Sequence, residues 1–246
     1  MRTLVVMPTY DEALNIREAL TRVRAAVPEA DVLVVDDSSP DDTASLARTI
    51  GTELGQIDVL VRPKKDGLGS AYRHGFQVGL DRGYDRLVQI DADLSHDPAA
   101  LPSLLRALDE GAAAVIGSRY VPGGSIPHWP WHRRALSRWG NRYACFVLGM
   151  SIHDATAGYR AYDAATLVTI DVLTTRAKGY GFQIETAYRI SRAQRTLVEV
   201  PIIFTDRVRG QSKMSVAVMV EELGLVTWWG LRDRLRRTPR LGPRRA

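Results

Sequence analysis

Leu87-Val88-Gln89-Ile90-Asp91-Ala92-Asp93-Leu94-Ser95-His96 is where a short apolar run stops abruptly at two carboxylates one residue apart. In a strand, alternate side chains share a face, so Asp91 and Asp93 start on the same side. Two carboxylates held together at the end of a buried strand repel one another unless a cation sits between them. A hard divalent ion that keeps several waters and shares its other positions with a diphosphate suits that arrangement. Taken alone, Asp-x-Asp favours a strand ending in a solvated acidic turn. The neighbouring segments have to decide.

Upstream, residues 3–7 (Thr-Leu-Val-Val-Met) and 31–35 (Asp-Val-Leu-Val-Val) are continuous apolar runs, the pattern of parallel strands buried on both faces. Residues 57–61 and 113–117 add two more strands around 87–90. Between them, helical spacing places Ile16, Leu20, Val23 and Val27 on one stripe. Further helices are predicted from Thr43 or Ala44, over 70–82 and over 97–110. Strand and helix alternate from residue 3 to 119 with short connections, which predicts an α/β fold: a mostly parallel sheet with helices on both faces.

Ligands bind such sheets at the carboxyl ends of the strands. Those ends carry Pro8 to Glu12, Asp36-Asp37, Asp91 with Asp93, and Arg119. Each alone is an ordinary polar cap on a buried strand. Together they point to a nucleotide-diphosphate site. The loop Gly67-Leu68-Gly69 lacks the third glycine of a dinucleotide fingerprint, and nothing matches a P-loop.

After Arg119 the alternation stops. Residues 121–131 form a long loop rich in Pro, Gly and Trp, either a core plug or a surface for a greasy ligand or the membrane interface. A helix over 135–148 follows, then a turn-and-strand segment with a polar cluster from Asp154 to Arg160, and another helix opened by residues 178–185. A strand over 196–204 carries Pro201 and belongs at a sheet edge. Residues 205–213 form a basic loop. Residues 216–230 read as a helix packed on the sheet, with an in-plane amphipathic anchor as the alternative because Trp228 and Trp229 adjoin arginines.

The net charge of +5 belongs to the C-terminus: residues 231–246 hold seven arginines against one aspartate, so the body is slightly acidic. That disfavours a nucleic-acid-binding module. The division is one domain over 1–230 and an arginine-rich tail over 231–246, expected to be disordered and attracted to anionic lipid. Cys145 is the single cysteine, which excludes an intrachain disulfide and suits a reducing compartment. The strand at residue 3 leaves no room for a signal peptide.

The Val34 to Thr43 segment, Asp91-Ala-Asp-Leu-Ser-His96 and Ile116-Gly-Ser-Arg-Tyr120 resemble inverting glycosyltransferases of the second sequence family, which have the GT-A (Rossmann-like) fold. Asp154 to Arg160, Gly181-Phe-Gln183 and Arg207 to Lys213 narrow the resemblance to polyprenol-phosphate (dolichol-phosphate) mannose synthases, the actinobacterial polyprenol monophosphomannose synthases above all. The resemblance covers about residues 3–230. It implies that Pro8, Tyr10, Glu12 and Asp37 hold the nucleoside of GDP-mannose. Asp91 and Asp93, with Ala92 between them and Ser95 beyond, would hold Mg²⁺ or Mn²⁺ on the diphosphate. Arg119, Arg133, Arg207 and Lys213 would contact the phosphates of donor and polyprenyl-phosphate acceptor, and Gln183 stands where some relatives carry lysine. Asp11 replaces a usual Asn, and Ser95 a frequent Gln.

A phosphomonoester acceptor is already about doubly charged at neutral pH, so it needs no general base. The expected reaction is an in-line displacement at the anomeric carbon with inversion, giving polyprenyl phosphate mannose and GDP. The alternatives are another donor such as UDP-glucose, a soluble or glycan acceptor served by a carboxylate base near Asp93, and a non-enzymatic basic lipid- or nucleic-acid-binding module. Lacking a membrane span of its own, the chain is expected to sit peripherally on the cytoplasmic face of the inner membrane. A separate membrane-anchoring partner would be compatible with that placement.

Overall fold

Strand β1 (Thr3–Thr9) is buried on both faces, and the rest of the sheet is built outward from it. The computed structural model describes residues 1–177, 179, 181–206 and 216–236. After β1 come α1 (Ile16–Ala26), β2 (Asp31–Asp36), α2 (Thr43–Leu54), β3 (Ile57–Val61), α3 (Leu68–Asp81), β4 (Arg86–Gln89), α4 (Leu101–Asp109) and β5 (Ala114–Ser118). Then follow α5 (Trp131–Leu148), β6 (Arg160–Asp163), α6 (Ala164–Thr169), α7 (Gly181–Arg192), β7 (Leu197–Pro201) and α8 (Val216–Arg236).

The seven strands lie in the order β3-β2-β1-β4-β6-β5-β7. β1 pairs in parallel with β2, Thr9 opposite Asp36, and with β4, Val6 opposite Gln89. Side chains alternate as a strand requires. Val5, Met7, Val32, Val34 and Val88 face a core closed by α1, α2 and α4. Leu4, Val6, Leu33, Val35 and Leu87 face the opposite core under α3, α6 and α7.

Four sequence expectations change. The segment around Arg160 enters the sheet itself: β6 runs antiparallel between β4 and β5, with Arg160 opposite both Gln89 and Ile116. Apolar periodicity says that a segment is a strand but not where in the sheet it inserts. The stretch 121–131 is anchored by bonds from Ser125 N to Ile202 O at 3.0 Å and from Phe204 N to Ser125 O at 2.9 Å. Its helix begins at Trp131 rather than near 135. The last strand stops at Pro201, beside β5 at the sheet edge as expected, and residues 203 and 204 continue only as isolated bridges to Ser125 and His96.

The fourth change concerns α8, which packs on α5 and α7 rather than on the sheet. Tyr143 bonds Thr227 at 2.7 Å, and Trp229 stacks on Tyr188. Residues 231–236, expected to begin the tail, continue this helix, while 237–246 lie outside the described residues. No helix among the described residues is long and apolar enough to cross a membrane.

Candidate active site

The carboxyl ends of β1 and β2 are tied together by side chains. Asp36, fully buried, accepts from Thr9 Oγ1 at 2.9 Å and from the Ser39 amide and hydroxyl at 2.9 and 2.6 Å. That clamp sets the turn after β2 and presents the next residue, Asp37. Arg62 at the end of β3 lies 3.2 Å from Asp37 Oδ1, and both are buried. Burial raises the Asp37 carboxyl above its ordinary value, and the charge of Arg62 opposes that rise.

On the β1 side, Pro8 is half-buried at the strand end and Tyr10 lies under Lys65, whose Nζ is 3.7 Å from the ring centroid. Glu12 accepts from Asn15 Nδ2 at 2.8 Å, and its amide donates to Thr43 Oγ1 at 3.0 Å. The residues expected to hold a nucleoside therefore come from two adjacent strand ends in one register.

Beyond β4, Asp91 Oδ1 accepts from the Tyr72 hydroxyl at 2.8 Å. Burial first, and then Asp91, push that phenol well above its usual value, so it stays protonated and donates. Asp93 Oδ1 accepts from the Ser95 amide at 3.0 Å, and Asp93, Ser95 and the intervening Leu94 are buried. Leu94 has φ 62°, a left-handed kink that closes this turn and returns Ser95 towards Asp93. The buried His96 ring packs on Tyr159 and Phe204 at 5.3 and 5.2 Å. Burial lowers its imidazole to about 4 against the opposing pull of Asp93, so it is neutral near pH 7.

Across the β4–β6 pairing, Gly158 faces the carboxylates. A Cβ added there would lie 3.4 Å from Asp91 Oδ2, 3.8 Å from His96 Cε1 and 3.9 Å from Gln183 Nε2. Three polar side chains thus converge on one point. The amide of Gln183 is oriented by a chain of bonds. The carbonyl of Gly158 can only accept, so the 2.7 Å contact identifies Gln89 Nε2 as a donor. That Nε2 also donates to Gln183 Oε1 at 2.7 Å, and Gln89 Oε1 accepts from Tyr162 at 3.0 Å. Gln183 Nε2, buried and with no hydrogen-bond partner among the described residues, is left pointing towards Gly158. Arg160 braces the surroundings: its buried guanidinium donates to the carbonyls of Ala155, Ala157 and Gln183.

Of the cationic residues, Arg119 and Arg133 both approach the Trp129 ring, 6.0 and 3.8 Å from its centroid. Arg119, expected at the phosphates, is buried, and its Nε and Nη2 bind Asp154 at 2.7 and 2.6 Å. Burial alone would raise the Asp154 carboxyl, but the charge and hydrogen bonds of Arg119 outweigh it and hold the pKa below the usual range. The same guanidinium lies 5.5 Å over the Phe204 ring. Arg133 lies at the rim, 3.8 Å over the Trp129 ring and 3.1 Å from Asp206. Trp129 is buried, with Nε1 donating to the same carboxylate at 2.8 Å. Arg207 and Lys213 lie outside the described residues.

Ala92 is buried and carries no polar group, so its part is to space the two aspartates. Asp91, Asp93 and Ser95 offer hard oxygen donors, the type suited to Mg²⁺ or Mn²⁺. No group of three or more His, Cys, Asp or Glu is assembled among the described residues, so an ion there would rely on two carboxylates, the hydroxyl and substrate oxygens. Sequence reasoning passed over Tyr72, Gln89, Gly158 and the role of His96. Tyr72 had a signal in the glycine spacing of its helix. The others meet only through pairing of strands far apart in the chain.

A profile described as glycosyl transferase family 2 matches residues 4–168. An undecaprenyl-phosphate mannosyltransferase of Micrococcus luteus is 50% identical, over 95% of this chain and 96% of its own length. A polyprenol monophosphomannose synthase of Mycolicibacterium smegmatis is 48% identical, over 96% of this chain and 89% of its own. Among solved structures, a mannosyltransferase from Pyrobaculum calidifontis in complex with GDP-Man and Mn²⁺ matches with TM-score 0.63 at 18% identity, covering 96% of this chain and 65% of that one. The last likeness is one of fold, the GT-A fold.

Proposed function

The chain belongs to glycosyl transferase family 2, and from that premise we propose that it transfers mannose from GDP-mannose to a polyprenyl phosphate with inversion. The observation that carries this reading is the near full-length match to two prenyl-phosphate mannosyltransferases. The donor assignment is further supported by the GDP-Man in the Pyrobaculum relative of the same fold.

The chemistry follows from charge. The acceptor phosphate oxygen attacks the anomeric carbon as the bond from that carbon to the diphosphate breaks, and GDP departs with the electron pair. No proton has to be removed from the nucleophile, which fits a site whose group opposite Asp91 is the neutral amide of Gln183. Asp91, Asp93 and Ser95 would hold Mg²⁺ or Mn²⁺, and such an ion would supply Lewis-acid stabilisation of charge on the departing diphosphate. Tyr10, Glu12 and Asp37 hold the nucleoside. Arg133, with Arg207 and Lys213, screens the approach of one anion to another. Arg119, held in place by Asp154, would join them at the phosphates. The protein works peripherally, at the cytoplasmic face of a membrane.

Radiolabelled GDP-mannose and a short polyprenyl phosphate, assayed with and without Mn²⁺ beside a panel of other nucleotide sugars, test the reading. Metal-dependent transfer from GDP-mannose is expected. Transfer from UDP-glucose in preference would overturn the donor.

A further inference from the structure

We infer that the outward face of α5, continued by α8, is the surface on which this protein lies on an anionic lipid bilayer. The inference rests on the prenyl-phosphate reading for its purpose but on the helix itself for its argument. α5 buries Asn141, Ala144, Cys145 and Leu148 against the body. On the opposite side, Trp131, Trp139 and Phe146 are 75%, 54% and 81% exposed, and Leu136 is 50% exposed. Spacings of eight and seven residues put the three aromatic rings on one stripe. α8 packs alongside, Gly230 against Val147, and adds Trp228 and Leu231, 55% and 52% exposed. Single exposed apolar residues are ordinary, whereas an aromatic stripe running the length of a helix marks a contact surface.

Charge selects the occupant. α5 contains Arg133, Arg134, Arg138 and Arg142 and no acidic residue. Arg134, Arg138 and Arg142 are exposed along the edge of the aromatic stripe, and on α8 Arg232 sits 5.1 Å over the Trp228 ring. Tryptophans flanked by arginines fit the headgroup layer of an anionic membrane, with rings at the acyl boundary and guanidinium groups on phosphates. A protein partner would be expected to meet such a cationic edge with its own acids. A second copy of this helix would bring like charges together.

The placement also serves the reaction. α5 starts at Trp131, two residues after Trp129, and itself carries Arg133, the two groups that form the rim of the site, so a bilayer along this helix would put the mouth beside the lipid surface. A folded surface is thereby added to the arginine tail and the 216–230 helix that the sequence offered for contact with lipid.

Flotation of the full chain with vesicles free of any prenyl phosphate is the test, with pure phosphatidylcholine set against mixtures containing phosphatidylglycerol. Binding to the anionic vesicles is expected. It should fall about tenfold or more in Trp139→Glu/Phe146→Glu, and weaken in Arg138→Gln/Arg142→Gln with a flatter salt dependence. Circular dichroism and turnover on a short, water-soluble prenyl phosphate should stay at wild-type level, and a milder Trp139→Ser/Phe146→Ser pair guards against misfolding. The inference is overturned if the wild type ignores anionic vesicles, or if the Glu pair floats like wild type. It also fails if sedimentation shows a dimer that the Glu pair makes monomeric. Vesicle binding through α5 without any mannosyl transfer would sink the proposed reaction and leave this surface standing.

Discussion

Asp93 and Asp154 are both buried carboxylates at the ends of strands or the loops beside them, yet their surroundings give them different work. Asp93 accepts from the Ser95 amide in a kinked turn, next to Asp91 and Ser95. Asp93→Ala is expected to cut turnover about a thousandfold, roughly 4 kcal/mol of transition-state stabilisation, with an unchanged circular dichroism spectrum. Asp154 instead takes three bonds from Arg119 and is structural. Asp154→Asn leaves a buried guanidinium without its counter-charge and should cost about 3–5 kcal/mol in urea unfolding. Because Arg119 depresses the Asp154 pKa, that contribution is complete above the unfolded carboxyl value of about 3.9. It drains away as pH falls through the lower folded value, so acid titration of wild type and variant should converge there. Gln183→Leu removes the donor aimed at Gly158 and should lower kcat/KM about tenfold, chiefly through the donor KM. Asp91 and Asp93 were legible as neighbours at the end of an apolar run, but β4 stops at Gln89, so the loop beyond it and not the two-residue period of a strand orients them. The role of Gln89, 94 positions from Gln183, was not legible.

At the scale of elements, α3 shows how close packing places Tyr72 beside Asp91. Cβ atoms added at Gly75 and Gly79 would stand 2.3 Å from Val6 Cγ1 and 2.5 Å from Leu87 Cδ2. The helix therefore lies nearly against β1 and β4, which lets the Tyr72 hydroxyl reach Asp91. Gly75→Ala should destabilise by about 1–3 kcal/mol through overpacking, and also lower activity by shifting Tyr72. Thermal unfolding and steady-state kinetics on the same variant would check both effects. β6 is the counterpart on the other side: antiparallel insertion beside β4 carries Gly158 to the carboxylates and buries Arg160 among carbonyls. Its strand character was readable around Arg160. Its neighbours were not, since they follow from which edges remain free once β4 and β5 are placed.

At the scale of the molecule, the residues proposed for the nucleotide lie at the ends of β1 and β2, those proposed for the metal follow β4, Arg119 follows β5 and Arg133 stands on α5. Binding that needs all of these should stabilise the whole fold cooperatively. A ligand at one hundred times its Kd adds about 2.7 kcal/mol, which for a chain of this size is a rise of roughly 5–10 °C in Tm. GDP-mannose with Mn²⁺ is expected to give such a shift. Asp93→Ala should lose most of it, and differential scanning fluorimetry decides.

The amino-acid order alone determined that buried strands alternate with helices, that Asp91 and Asp93 follow directly on one of those strands, and that polar residues gather at strand ends. Each of these depends on spacing within a few residues, and backbone geometry enforces spacing locally. The tertiary structure alone decided that Arg119 belongs to Asp154, that Gln183 is aimed through Gln89, and that the aromatic stripe of α5 faces outward. These depend on which distant segments share a low-dielectric interior or are left outside it, and sheet pairing across the whole chain sets that partition.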